Sequence, residues 1–347
     1  MKRFLGLALL LMLLGAIGLA ETKLNGAGAT FPNPIYSKWF DEYHKQHGDI
    51  EINYQSKGSG AGIRQLTEGT VDFGASDGPM TDQQLKDAKD KRGFDVIHIP
   101  TVLGAVVPAY NLPDVSKELR FSGDSLAGIY LGKITKWNDP IIAKDNPGVK
   151  LPDKPIVVVH RAEASGTSYI FTDFLSKVSP EWQQKVGKST AVQWPTGLGQ
   201  QGNEAVAGMV RQMDGAIGYV ELIYALQNKI SFGPVKNPAG EYVKASLEST
   251  TAAAASVKDM PDDFRVSITN APGKTAYPIS SFTWLLVPAE WTDAGKEKAF
   301  VDFLTWMVDK GQTMTSALEY APLPKNVAAK VKARIKEVKV KGQTAKK

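Results

Sequence analysis

Apolar β-type runs alternate with stretches of helical period along nearly the whole chain, and this alternation constrains the fold more than any other feature. Strand candidates fall at residues 50–55, 71–75, 96–99, 156–160, 217–220 and 282–287. Helix candidates fall at 35–43, 62–70, 82–91, 125–130, 168–176, 203–212 and 296–309. Within 35–43, Ile35, Trp39 and Tyr43 recur every four residues beside Tyr36 and Phe40, making one broad apolar face. Pro34 sits in the first turn, where its missing N–H costs nothing. The pattern is that of an α/β protein. Residues 100–111 read as extended and apolar, and so do 280–288. One crossover out and one back predict a discontinuous lobe 1 (residues 21–104 and 281–347) with lobe 2 (105–280) inserted. Binding sites preferentially occupy the cleft such an arrangement creates.

The first twenty residues stand apart from this pattern. Lys2 and Arg3 precede an uncharged apolar run, and Gly18-Leu19-Ala20 supplies small residues before a cleavage point after Ala20. That order of charge, apolar core and small residues reads as an export signal, with an uncleaved anchor as the alternative because the run falls only slightly short of a spanning length. The mature chain then spans residues 21–347, enough for two ordinary domains. The chain has no cysteine, which excludes disulfides, thiolate metal sites and a lipid-anchored N-terminus, so a large core must supply the stability.

The formal net charge of +5 is unevenly placed. Nine Lys or Arg lie from Lys325 to Lys347 against a single acid, Glu337, which leaves the rest of the mature chain slightly acidic. The basic balance therefore gives no reason to expect a nucleic-acid surface on the body. Val327, Val331, Ile335 and Val338 recur at helical spacing, so the tail reads as a packed helix with a solvated basic face.

Three segments share a composition suited to small anions. Gly26-Ala27-Gly28-Ala29-Thr30-Phe31-Pro32, Lys57-Gly58-Ser59-Gly60-Ala61-Gly62 and Arg161-Ala162-Glu163-Ala164-Ser165-Gly166-Thr167-Ser168 each stand just ahead of a helical stretch. Helix N-termini carry N–H groups without partners and a dipole that favours negative charge, small residues admit close approach, and Ser or Thr adds a hydroxyl. Any one of these segments alone is better read as plain helix capping. Together, with Arg161 adjacent, they make an anion site as good a reading as capping.

Other patterns fail on spacing. Gly58-Ser59-Gly60-Ala61-Gly62 does not fit the dinucleotide G-x-G-x-x-G. Gly187-Lys188-Ser189 ends like a phosphate loop, but Trp182 occupies the required upstream glycine position. Ser165 has Glu163 where a nucleophile elbow needs glycine. His44 and His47 lack a third metal ligand, and with four histidines and no cysteine no catalytic or metal cluster assembles. No cofactor is expected.

Asn25 to Pro32, Val71 to Asp77 (VDFGASD), Tyr130 to Asp139 (YLGKITKWND), Arg161 with Ser165-Gly166-Thr167, and Gly215 to Glu221 (GAIGYVE) closely resemble the PstS family, the phosphate-binding proteins of bacterial phosphate ABC transporters. The motifs span nearly the whole mature chain in order. The resemblance implies a two-lobed periplasmic-binding-protein fold of type II-like form, closing on phosphate by a hinge at the two crossovers. It implies a monomeric periplasmic protein that delivers inorganic phosphate to membrane permease subunits. Thr30 and Phe31 resemble the contacts of the first loop, Ser59 the donor of the second, Arg161 the cationic contact, and Ser165, Gly166 and Thr167 the helix-start donors of the other lobe. Asp77 resembles the acceptor carboxylate. A carboxylate beside an anion is favourable only when the anion carries an O–H, because an O–H···O⁻ bond is charge-assisted. Sulfate has no such proton at neutral pH and is rejected, by roughly 10⁴-fold on the scale of sites that lose a built-in hydrogen bond.

The chain departs from the family pattern at Glu163, where aspartate commonly holds the arginine, and His160 reads as structural or cleft-edge. Two other functions use the same features: a phosphomonoesterase with this anion pocket, and a surface interaction protein that keeps the fold without the ligand.

Overall fold

The computed structural model describes residues 21–342; the export-signal reading of residues 1–20 and its cleavage point lie outside them. The chain begins with β1 (Thr22–Gly28), α1 (Asn33–Gln46), β2 (Ile50–Ser56), α2 (Ser59–Glu68), β3 (Phe73–Ser76), α3 (Asp82–Arg92) and β4 (Val96–Tyr110). It continues through α4 (Gly123–Tyr130), α5 (Pro140–Asp145), β5 (Val157–Arg161), α6 (Gly166–Val178), α7 (Pro180–Lys185), β6 (Leu198–Gln200), α8 (Gly202–Gln212), β7 (Ala216–Glu221) and α9 (Leu222–Gln227). Short strands β8 (Ser231–Phe232), β9 (Val235–Lys236) and β10 (Tyr242–Val243) precede α10 (Leu247–Ala254). The return leg is β11 (Ser280–Pro288), β12 (Glu290–Trp291), α11 (Ala294–Asp309), α12 (Lys325–Ile335) and β13 (Lys339–Val340).

The principal sheet runs β2-β1-β3-β11-β4-β7-β5-β6, with β8 also paired to β4. The β1–β2, β1–β3, β5–β7 and β5–β6 pairings are parallel, whereas β11 and β4 are antiparallel to their neighbours. Parallel strands need crossover helices, and the alternation in the sequence supplies them. All fifteen residues of β4 are buried. Nine of its first ten residues, all but Thr101, pair with β11 and its last five with β7. What the sequence suggested as a short strand followed by an extended crossover is thus one continuous strand shared by both halves of a two-lobed fold. Pro100, opposite Trp284, has no N–H for the ladder, and the β4–β11 register shifts between Thr283 and Trp284.

The glycine-rich segment from Gly26 needs one correction. The sequence reading treats it as a loop, but Gly26–Gly28 finish β1, hydrogen-bonded on both sides by β2 and β3. A Cβ on Gly26 would lie 2.2 Å from the Phe73 ring, so glycine is there to seat an aromatic side chain. Pairing on two edges outweighs glycine's weak strand preference.

α1 buries the face expected of it: Ile35, Tyr36, Trp39, Phe40 and Tyr43. They join Tyr54, Phe73, Phe300, Phe303 and Trp306 in an aromatic cluster on one side of the molecule. Tyr130, Phe171, Trp182, Trp194 and Tyr219 form its counterpart on the other. Each fully buried aromatic of this kind contributes roughly 1.5–3 kcal/mol, so ten of them make good the lack of disulfides. The basic tail is helical over Lys325–Ile335 as its periodicity predicts, but Val338 lies beyond the helix, just before β13. Val327, Val331, Ile335 and Val338 are buried, while Lys330, Lys332, Arg334 and Lys339 pair with Asp262, Asp309, Glu337 and Glu290.

Candidate functional site

The strand ends and helix starts of both halves meet at one place. β1 ends at Gly28 and leads into Thr30 and Phe31 ahead of α1; β2 leads through Gly58 into α2 at Ser59; β3 leads into Asp77; β5 ends at Arg161, ahead of α6 at Gly166. Thr30, Phe31, Ser59, Asp77, Arg161, Ser165 and Thr167 are each at most 2% exposed.

Ser59 joins the two halves. Its Oγ accepts from the N–H of Asp77 at 3.2 Å and from the N–H of Gly166 at 3.0 Å. The N–H of Gly60 donates to the carbonyl of Ala164 at 2.9 Å alongside. The fit leaves no room for a side chain at 166: a Cβ there would sit 2.5 Å from Ser59 Oγ and 2.6 Å from Asp77 Oδ2. Ser165 caps α6, its Oγ accepting from the N–H of Ser168 at 3.2 Å. Helix starts leave their first N–H groups without intrahelical partners. The described residues offer no acceptor to the N–H of Thr30, Phe31, Ser59 or Thr167. These four buried donors are gathered where the two halves touch.

Arg161 supplies the positive charge. Its guanidinium donates to Glu163 through Nε at 3.0 Å and through Nη2, and to Thr167 Oγ1 through Nη1 at 3.2 Å. The longer acid at position 163 therefore does reach the arginine, and the same Oε1 also takes the N–H of Gly202 at 3.0 Å. A planar guanidinium held on one edge presents the rest of its donors in a fixed direction. The backbone N–H of Arg161 is anchored on the Tyr219 hydroxyl at 3.0 Å. His160 stacks on Trp194 with ring centroids 5.0 Å apart.

Asp77 is the acceptor among these donors. Thr283 donates its hydroxyl to Oδ1 at 2.8 Å. Burial pushes the carboxyl up to about 7, against the opposing pull of the Thr283 hydrogen bond, the Arg161 charge and the Ser59 hydroxyl. The group therefore sits near the middle of its titration at neutral pH. Among the described residues no cluster of His, Asp or Glu is arranged to hold a metal, and no helix is long and apolar enough to cross a membrane.

Comparisons with known proteins give the chain's family. The model of the PBP superfamily domain matches residues 17–310. The phosphate-binding protein PstS of Xylella fastidiosa (strain Temecula1) is 46% identical over 315 residues, covering 90% of this chain and 85% of that protein. The chain belongs to the PstS family. PstS of Pasteurella multocida is 43% identical, with 97% of each chain covered. Among solved structures, a DING protein superposes with a TM-score of 0.73 at 23% identity, covering 89% of this chain and 93% of its own. A high-affinity periplasmic phosphate-binding protein, PfluDING, solved with phosphate at pH 8.5, superposes at 0.71 and 23% identity, covering 90% and 93%. At that identity the likeness speaks for the fold.

For this PstS-family chain the structure brings all eight candidates from the sequence to one locus, with Glu163 behind Arg161. Two polar residues were not anticipated. Asn203, the second residue of α8, donates to Thr30 Oγ1 at 2.8 Å and to Thr167 Oγ1 at 3.1 Å. Thr283 reaches Asp77 from the middle of β11. A fourth Gly-polar helix start, Gly202-Asn203, was the signal for the first; Thr283 has none, being one hydroxyl in an apolar strand.

Proposed function

We propose that this protein captures hydrogen phosphate between its two lobes and delivers it to the membrane permease of an ABC importer. One observation carries the reading: a buried carboxylate, Asp77, stands among helix-start N–H groups, hydroxyls and an arginine. Donors alone suit any oxyanion. An acceptor among them suits an oxyanion that carries a proton, because the ion's O–H can donate to the carboxylate in a charge-assisted bond. In this reading the N–H groups of Thr30 and Phe31, the Thr30 hydroxyl, Ser59, Arg161 and the Ser165-Gly166-Thr167 start of α6 donate to the ion. Glu163 holds the arginine in place.

The lobe division at residues 21–104 and 281–347 against 105–280 rests on β4, which changes partner from β11 to β7 between Ala105 and Val106. The likeness to PstS proteins supports export; in this reading the signal is removed after Ala20 and the mature protein acts in the periplasm as a monomer. No bond is broken in this function, and neither nucleic acid nor a cofactor takes part. Calorimetric titration of the pure protein tests it. Phosphate binds tightly and stoichiometrically, a thousandfold excess of sulfate does not displace it, and a chromogenic phosphate ester is not hydrolysed. Absence of phosphate binding, equal competition by sulfate, or turnover of the ester would each overturn it.

A further inference from the structure

We infer that Asn203 is a positioning residue that turns the hydroxyls of Thr30 and Thr167 into obligate donors toward the bound anion. The inference rests on the phosphate reading above and adds to it a residue that never touches the ion.

A hydroxyl has one hydrogen to give and two lone pairs to receive with. At Thr30 both lone pairs are taken, by the Asn203 side chain at 2.8 Å and by the Asn203 backbone N–H at 3.3 Å. At Thr167 both are taken as well, by Asn203 Nδ2 at 3.1 Å and by Arg161 Nη1 at 3.2 Å. Neither hydroxyl donates to any described residue, and Thr30 and Thr167 are 2% and 0% exposed. Filling the lone pairs leaves each hydrogen to point away from Asn203. An oxyanion between the lobes is the acceptor this arrangement lacks.

The direction of the Asn203 amide is itself fixed. The N–H of Glu221, at the end of β7, donates to Asn203 Oδ1 at 2.9 Å. An N–H must face an oxygen, so the NH₂ group is turned to the two threonines, one hydrogen for each. A chain of orientation therefore runs from the sheet backbone through one amide to two hydroxyl rotors. Hydroxyls that already point the right way lose no rotor freedom when the anion arrives, which is the advantage of preorganisation. Because Thr30 follows β1 while Asn203 and Thr167 start helices of the other half, the orientation is completed only when the halves meet.

The test measures phosphate dissociation constants for Asn203→Ala in three backgrounds: wild type, Thr30→Val and Thr167→Val. Freed rotors cost roughly 10- to 30-fold in affinity in the wild-type background, on the scale of one ordinary hydrogen bond per hydroxyl. In either valine background one of the two hydroxyls is already gone, so the same substitution costs roughly 3- to 5-fold. A full penalty in both valine backgrounds, or none in the wild type, overturns the inference. Asn203→Ser, which retains one donor, falls between wild type and Asn203→Ala and serves as the second variant should the alanine protein fold poorly. Failure of the wild-type protein to bind phosphate would be a different result, one that sinks the functional reading and not the role of Asn203 in it.

Discussion

Replacing Asp77 with asparagine separates the cost of the buried carboxyl from its use. Burial lifts the group from 3.8 to about 7, roughly three pKa units. At 1.36 kcal/mol per unit, the closed arrangement pays ~4 kcal/mol to hold Asp77 ionised above neutrality. The folded pKa lies above the unfolded one, so between about pH 4 and 7 the folded chain keeps a proton that the unfolded chain has released. Stability therefore falls as pH rises through that window and is level above it. The amide has nearly the same shape, still accepts from Thr283 and carries no charge. Asp77→Asn should thus raise the melting temperature of the ligand-free protein by several degrees at pH 8 and by almost nothing at pH 4, where the wild-type carboxyl is also neutral. Binding should move the other way. Phosphate loses its charge-assisted acceptor, sulfate gains an amide donor where it faced a carboxylate, and the phosphate-to-sulfate preference falls at least a hundredfold from the roughly 10⁴ expected of such a site. Scanning calorimetry at the two pH values and competitive titration at pH 8 measure both. A melting gap that does not change with pH would refute the electrostatic account. An unchanged sulfate preference would refute the role of Asp77 as the acceptor.

Two further substitutions probe the donors and the closure. Arg161→Ala removes the cation and leaves Glu163 as an uncompensated half-buried charge, so phosphate affinity should drop by roughly 10²- to 10³-fold in calorimetry, on the scale of breaking a buried charge pair. Wild-type affinity would remove Arg161 from the site. Gly166→Ala places a methyl group 2.5 Å from Ser59 Oγ. It should weaken phosphate and leave the protein more expanded in small-angle scattering with phosphate present; a wild-type scattering profile in saturating phosphate would show that the halves tolerate the extra carbon.

Local chemistry was legible in the sequence and long-range placement was not. The helices α2 and α6 could be read, although they begin at Ser59 and Gly166, three and two residues before the expected 62 and 168; Ser165 caps α6, while α2 starts after Gly58 with no side-chain cap. The buried face of α1 could be read from its spacing. Thr283 could not, since its reach to Asp77 depends on β11 lying between β3 and β4, with a register shift opposite Pro100. Asn203 escaped for a related reason: Gly202-Asn203 marks only a helix start, and the partners that give it a role lie 173 and 36 residues away. The end of β1 was misjudged because glycine is ordinarily poor in strands, and only the Phe73 ring across from Gly26 explains its presence.

The continuity of β4 bears on how fast the protein can work. A flexible tether would let the two halves wander, and each capture would wait on a search through many relative orientations. Here the strand that finishes one half's sheet begins the other's, its ladder passing from β11 to β7 at residues 105 and 106, and the returning strand starts beside it at Ser280. Relative motion of the halves has to bend the chain at these two crossings. Amide exchange at those two positions should therefore report the frequency of opening directly, in the absence of any ligand.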